Sequence, residues 1–109
     1  MNIDSLEKML KRGRDDALLR FSLGSEYLQA DQPQSAVEHL RAAIAHKPDY
    51  SAAWKALGKA LMLSEQWPQA FAAYEQGITA AQNHGDLQAA KEMQVFLRRA
   101  QKASAPDST

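Results

Sequence analysis

Between Ala17 and His84 the apolar residues recur at intervals of three or four, and the recurrence is itself repeated. Leu19, Leu23, Tyr27 and Leu28 make one stripe, and Val37, Leu40, Ala43 and Ile44 make a second. That spacing puts each set on one face of an amphipathic helix, and neither set alternates as a strand would. Shifting the chain by 34 residues lays 17–50 over 51–84. Leu23-Gly24 then falls on Leu57-Gly58, Gln32 on Gln66, Ala36 on Ala70 and Ile44 on Ile78, with Asp31 on Glu65 and Leu40 on Tyr74. A period in this range marks stacked supersecondary units, and each unit here is a helix pair.

Punctuation residues predict the helix ends. Asp15 or Asp16 caps a first helix of roughly 16–30, and Asp31-Gln32 makes the turn. Pro33 opens the second helix, where its missing N–H does no harm, and Lys47-Pro48-Asp49 ends it after about His46. In the second unit a helix runs from Ser51 to about Ser64, Glu65-Gln66-Trp67 turns, and Pro68 opens the next; Trp67 is expected to pack on its own helix pair. Gly24 and Gly58 lie inside helices, where glycine costs about 1 kcal/mol relative to alanine. Close helix approach is the expected reason, with Ala36 and Ala70 across the same contact.

Both flanks read as helices. Residues 2–12 carry Ile3, Leu6, Met9 and Leu10 on one stripe, with Asp4 and Glu7 spaced as in a capping box and Gly13 as the stop. So short a helix is unstable alone. Its stripe therefore docks, either on the first helix of unit one as a cap or in a groove, where it would compete with ligands. After Asn83-His84-Gly85, Asp86 caps a last helix to about 102, with Leu87, Ala90, Met93, Phe96, Leu97 and Ala100 facing the core. Val95 lies off that stripe, as an exposed stray or part of a second contact face. Arg98, Arg99 and Lys102 suit the negative end of the helix dipole. Residues 103–109 are small, polar and proline-containing, and a disordered tail is expected there.

Leu23, Gly24, Tyr27, Ala36, Leu40, Ala43 and Pro48 in unit one, and Trp54, Leu57, Gly58, Leu61, Ala70 and Tyr74 in unit two, resemble the tetratricopeptide repeat, a 34-residue helix-turn-helix unit. Three positions depart from it. Arg20 stands where Trp is expected, Gly77 where Ala is usual and Gln82 where Pro is usual, so the last helix of unit two is expected to run on. The resemblance covers about two thirds of the chain. It implies an all-α, right-handed α-solenoid of two helix pairs flanked by an N-terminal and a C-terminal capping helix, a single domain over 1–102. It also implies that the first helix of each pair lines a concave face. Carried over by position, that lining is Leu18, Phe21, Ser25, Leu28 and Gln29 from unit one and Ala52, Lys55, Lys59, Met62 and Leu63 from unit two. Lys55 and Lys59 are one turn apart, and Phe21 and Met62 offer adaptable apolar surface. Such a groove suits an extended or helical peptide with acidic groups and an apolar anchor. The repeats that clamp a chaperone's C-terminal carboxylate use lysine, asparagine and arginine; the matching positions here are Phe21, Ser25, Ala56, Asp86 and Ala90, which do not fit.

Composition removes other classes. Thirteen basic residues balance thirteen acidic ones in 109, so no global field recruits nucleic acid or an anionic membrane surface. Lys11-Arg12-Gly13-Arg14 and Arg98-Arg99 are too short to change that. Cysteine is absent, which removes disulfides and thiolate metal sites. No apolar run nears the roughly 18–20 residues of a membrane span, and the N-terminus lacks the apolar core of a secretory signal; a cytoplasmic protein is expected. His39, His46 and His84 lack the company of a metal site and are expected to be solvated or half-packed. No nucleophile–base pair or phosphate loop occurs, so neither an enzyme nor a cofactor is expected. The reading is a non-catalytic module binding a protein or peptide. The alternatives are a self-associating scaffold, because about three repeats are normally needed for a stable stack, and a chaperone-like assembly factor.

Overall fold

Eight residues past the N-cap of its helix, Gly24 faces Leu40, and Gly58 in the same register faces Tyr74. The computed structural model, which describes residues 2–105, builds its helix pairs around these two contacts. The helices are α1 (Ile3–Lys11), α2 (Ala17–Gln29), α3 (Pro33–His46), α4 (Ser51–Leu63), α5 (Trp67–Asn83) and α6 (Leu87–Ser104), with no strand among the described residues. Each helix packs on the next; α2 also touches α4, and α4 touches α6, whereas α3 and α5 do not meet. Thus α2, α4 and α6 form one layer and α3 and α5 the other, an all-α helical-repeat stack with extents of 52 × 31 × 18 Å.

A methyl group on Gly24 would lie 2.5 Å from Leu40 Cγ, and one on Gly58 would lie 2.4 Å from Tyr74 Cε1. The glycines therefore seat a large side chain of the following helix. Ala36 and Ala70, expected as their partners, are fully buried in the neighbouring cluster with Leu40, Leu57 and Leu61; the longer side chains reach the glycines first. Gly77 obeys the same rule, since its methyl would lie 2.6 Å from both Met93 Sδ and Trp54 Cβ. Counting from the N-cap Asp86, the α6 position equivalent to Gly58 is Gln94. It is exposed, as are Lys91 and Arg98. That face is polar, as on the outer face of a capping helix.

Four helices end in the same way. The C′ residue is left-handed at Gly13, Asp31, Glu65 and Gly85. Its N–H and the next one bond back to carbonyls of the last turn, as in Asp31 to Leu28 and Gln32 to Tyr27, the Schellman pattern. At the other ends, Asn2 rather than Asp4 caps α1, accepting from Ser5 N at 2.8 Å; Asp4 already lies within the helix and is exposed. Asp16 caps α2 through Leu19 N at 2.8 Å. Helix α5 begins at Trp67, which is half-buried in the first turn and not part of the connection. Lacking the proline that follows α3, α5 runs 17 residues against 14.

The structure changes two expectations on the last helix and narrows a third. Leu87 is 61% exposed, because it opens the helix before α6 meets α5, and Ala89 is buried instead. Val95 is half-buried, not stray. With Ala100 fully buried as an anchor, the helix carries on through Ala103 and Ser104, so the tail expected from 103 is helical at its start; 106–109 lie outside the described residues.

The first repeat replaces the missing tryptophan with a polar clamp. In unit two, Trp54 Nε1 donates to the Pro48 carbonyl at 2.8 Å. In unit one, Arg20 grips Asp15 through two nitrogens at 2.8 and 2.9 Å, and His46 Nε2 lies 2.9 Å from the same carboxylate. The hydrogen bond from Arg20, then that with His46, holds the Asp15 carboxyl well below the usual carboxylate range. Arg20 also reaches His39 Nδ1 at 3.0 Å. Arginine only donates, so Nδ1 accepts and the ring proton sits on Nε2, 3.4 Å from Glu7 Oε1. His39 is buried and stacks on Tyr27 with ring centroids 5.3 Å apart. It is neither solvated nor half-packed, because Tyr27 and Arg20 of α2 pack against it and Glu7 of α1 lies 3.4 Å away. His46 and His84 are exposed, the latter 3.2 Å from an Asp49 oxygen.

Gly58→Ala should destabilise the fold by roughly 1–3 kcal/mol through overpacking on Tyr74, despite alanine's better helix propensity, read as a lower urea midpoint at unchanged m. Glu65→Gly should stabilise by up to about 1 kcal/mol, since left-handed backbone strains an L-residue while glycine's unfolded-state entropy offsets part of the gain. Asp15 stabilises the fold fully above its ordinary pKa of 3.8, and that contribution is lost as the pH falls from there through the lowered folded-state value. Asp15→Asn should therefore unfold at lower urea than the parent at pH 7, with the gap closing in acid; an equal gap at pH 7 and pH 3 would contradict the clamp.

Candidate functional site

Where α2, α4 and α6 lie side by side, their common surface encloses a groove of about 650 Å³. Helix α2 contributes Phe21, Ser25, Leu28 and Gln29, and α4 contributes Ala52, Lys55, Ala56, Lys59, Met62 and Leu63. Tyr74 of α5 and Phe96 and Arg99 of α6 complete it. Of the residues expected to line a concave face, only Leu18 lies elsewhere, 59% exposed. Phe21, which does line the groove, packs on Tyr50 with ring centroids 5.0 Å apart.

The expected lining omitted Ala56, Tyr74, Phe96 and Arg99. Treating α6 as a cap alone hid the last two. A signal existed for one of them: Arg99 stands thirteen residues past its N-cap, the register of Gln29 in α2 and Leu63 in α4. Phe96 and Tyr74 had no such signal, since their meeting at 6.1 Å depends on how α6 crosses α5.

The groove is lined by apolar side chains, with cations from α4 and α6. Phe21, Leu28, Met62 and Phe96 provide the apolar lining, and the Tyr74 hydroxyl lies 3.5 Å from Met62 Sδ. Burial pushes the Tyr74 phenol up to about 12, so it stays neutral and a hydrogen-bond donor at physiological pH. Arg99 lies over the Phe96 ring at 6.0 Å. Lys59 is exposed, and among the described residues neither Lys59 nor Arg99 belongs to an ion pair. Lys55 does: its Nζ is 3.6 Å from Glu92 Oε1 on α6. The two lysines expected to act together are thus in different states.

Helix α1 does not enter this groove. Leu6 is buried with Leu19 and Leu23, flanked by Met9, Leu10 and Tyr27, and Glu7 accepts from the Tyr27 hydroxyl at 2.9 Å. The stripe of α1 matches a face of α2 other than the one carrying Phe21 and Ser25, so the docked helix leaves the groove open. Among the described residues no group of three or more metal-type side chains converges, and no helix is long and apolar enough to cross a membrane.

Comparison with known proteins agrees with this architecture. Residues 27–93 match the tetratricopeptide repeat family model. The chain is 50% identical over 103 residues to the TPR repeat-containing protein PA0015 of Pseudomonas aeruginosa, covering 94% of this chain and 98% of that one. The solution structure of protein BPP2914 from Bordetella parapertussis superposes with a TM-score of 0.81 at 48% identity, covering 94% of this chain and 90% of that one. A crystal structure of a tetratricopeptide repeat domain protein from Salinibacter ruber gives 0.72 at 27% identity, over 79% and 97%. Helix pairs in phase, glycines seated under Leu40 and Tyr74, and these likenesses together place the chain in the tetratricopeptide-repeat family, whose repeats generally mediate protein–protein interaction and not catalysis.

Proposed function

We propose that this protein is a non-catalytic interaction module, working in the cytoplasm, that holds a segment of a partner protein in the groove between α2, α4 and α6. The observation that carries the reading is the groove itself: an apolar lining with cations on its α4 and α6 sides, left uncovered by α1. A concave, mostly apolar cleft with a few placed polar groups is the usual form of a binding site. The ends of the array argue against the scaffold alternative. Helix α6 exposes Lys91, Gln94 and Arg98, and α1 exposes Asp4, Ser5 and Lys8, so a second copy would meet mostly polar ends, with Leu87 the large apolar side chain exposed on α6. A chaperone-like use of the same groove differs in its salt response, because an apolar client stays bound at high salt while ion-paired contacts are screened.

Immobilised parent protein and a Phe21→Ala, Lys55→Glu, Lys59→Glu variant, shown by circular dichroism to fold, should be exposed to extract from the source cells. A partner retained by the parent and lost, by tenfold or more, from the variant is expected. The same partner retained equally by both would move the binding surface away from the groove.

A further inference from the structure

We propose that Glu92 is a built-in competitor for the groove's cations. On this account the groove selects a partner segment that brings its own carboxylate to Lys55 beside a large apolar side chain; this rests on the groove being the binding surface. The charged residues lining the groove are Lys55, Lys59 and Arg99, all of one sign, although the whole chain is neutral. Charge is therefore segregated toward this face. The carboxylate paired to it comes from Glu92, six residues past the N-cap of α6, where α2 has Ser22 and α4 has Ala56 in the same register. Of α2, α4 and α6, only α6 places an acid in that register.

The Lys55–Glu92 pair is built to exchange. Its atoms are 3.6 Å apart, and the two side chains are 36% and 40% exposed. An ion pair so open to water contributes little to stability. A ligand carboxylate can take Glu92's place at little net change in electrostatic energy, and the ligand's apolar side chain then adds burial against Phe21, Met62 and Phe96. A ligand without a carboxylate leaves the pair closed, with Glu92 beside Lys55. A basic ligand meets Lys59 and Arg99 as like charges. The predicted order is acidic, then neutral, then basic. A protein segment is favoured over a nucleic acid, because the apolar lining is built from aliphatic and aromatic side chains that match an apolar anchor, and three cations make a short track for a phosphate backbone.

Three capped peptides test this, each with one central tryptophan, flanked by glutamates, glutamines or lysines. They would be titrated to millimolar concentration into the ¹⁵N-labelled full chain at low salt, with a short oligothymidine as a fourth probe. The glutamate peptide should bind most tightly and shift the amide signals of Met62, Phe96 and Arg99. Glu92→Gln should tighten that peptide by about two- to fivefold, leave the glutamine peptide unchanged, and lose most of its effect at high salt. In a Lys55→Gln background, Glu92→Gln should give no gain; a gain that persists there would mean that Glu92 acts through long-range charge and not by holding Lys55, and would overturn the proposal. Unchanged or weaker binding of the glutamate peptide by Glu92→Gln, with groove signals still shifting, would overturn it and leave the groove standing. Tighter binding of the glutamine or lysine peptide, or of the oligothymidine, would overturn the acidic partner. If no probe moves the groove signals, the groove reading itself falls.

Discussion

A large side chain resting on a glycine, Leu40 on Gly24 and Tyr74 on Gly58, is the contact from which the rest of the structure follows. It brings the inner and outer helices of each pair to a separation that any Cβ at the glycine would increase. The buried clusters form at that spacing, with Leu57 and Leu61 against Ala36 and Ala70 in one and Tyr74 against Met93 in the next. In α6 the equivalent position is the exposed Gln94, and no helix among the described residues rests on it.

The two repeats reach one geometry by different chemistry. Unit two ties its helix to the preceding connection with an indole, while unit one uses Arg20 between Asp15 and His39. The substitution makes the first repeat polar where the second is apolar, and links it to α1 through His39 and Glu7. A short helix that buries only Leu6 fully is thereby held by a packed imidazole and a phenol hydrogen bond as well as by its stripe. Because that hold lies on a face of α2 away from Phe21, capping the array does not obstruct the groove.

Helix α6 has two roles that compete in a longer array but coexist in a short one. Its outer face is polar, as on a capping helix, while its inner edge supplies Phe96 and Arg99 to the groove and Glu92 to Lys55. Tyr74 joins the two roles: its ring fills the Gly58 seat, and its edge meets Phe96 and Met62 in the groove lining. The lining of the groove and the core of the second pair therefore share a side chain, so a change at either alters the other.

The sequence by itself determined what depends on neighbours within a turn or two of helix. The 34-residue period, the proline starts and the Asp86 cap follow from spacing along the chain, because the backbone geometry of a helix is fixed; the run-on of α5 and the inward register of Phe21, Ser25, Lys55 and Met62 came from the resemblance to the repeat family, and the structure chose Asp16 over Asp15 as the cap of α2. Tertiary structure decided whatever depends on the distance between helices. Leu40, not Ala36, fills the seat of Gly24, since reach across the contact matters and position along the chain does not. His39 is buried because Tyr27 and Arg20 of α2 pack against it, and Lys55 is paired because α6 crosses α4 near Glu92, 37 residues further on. Such contacts turn on ångström differences in helix crossing that no periodicity encodes, which is why the helix pairs could be read from the chain and the electrostatic state of the groove could not.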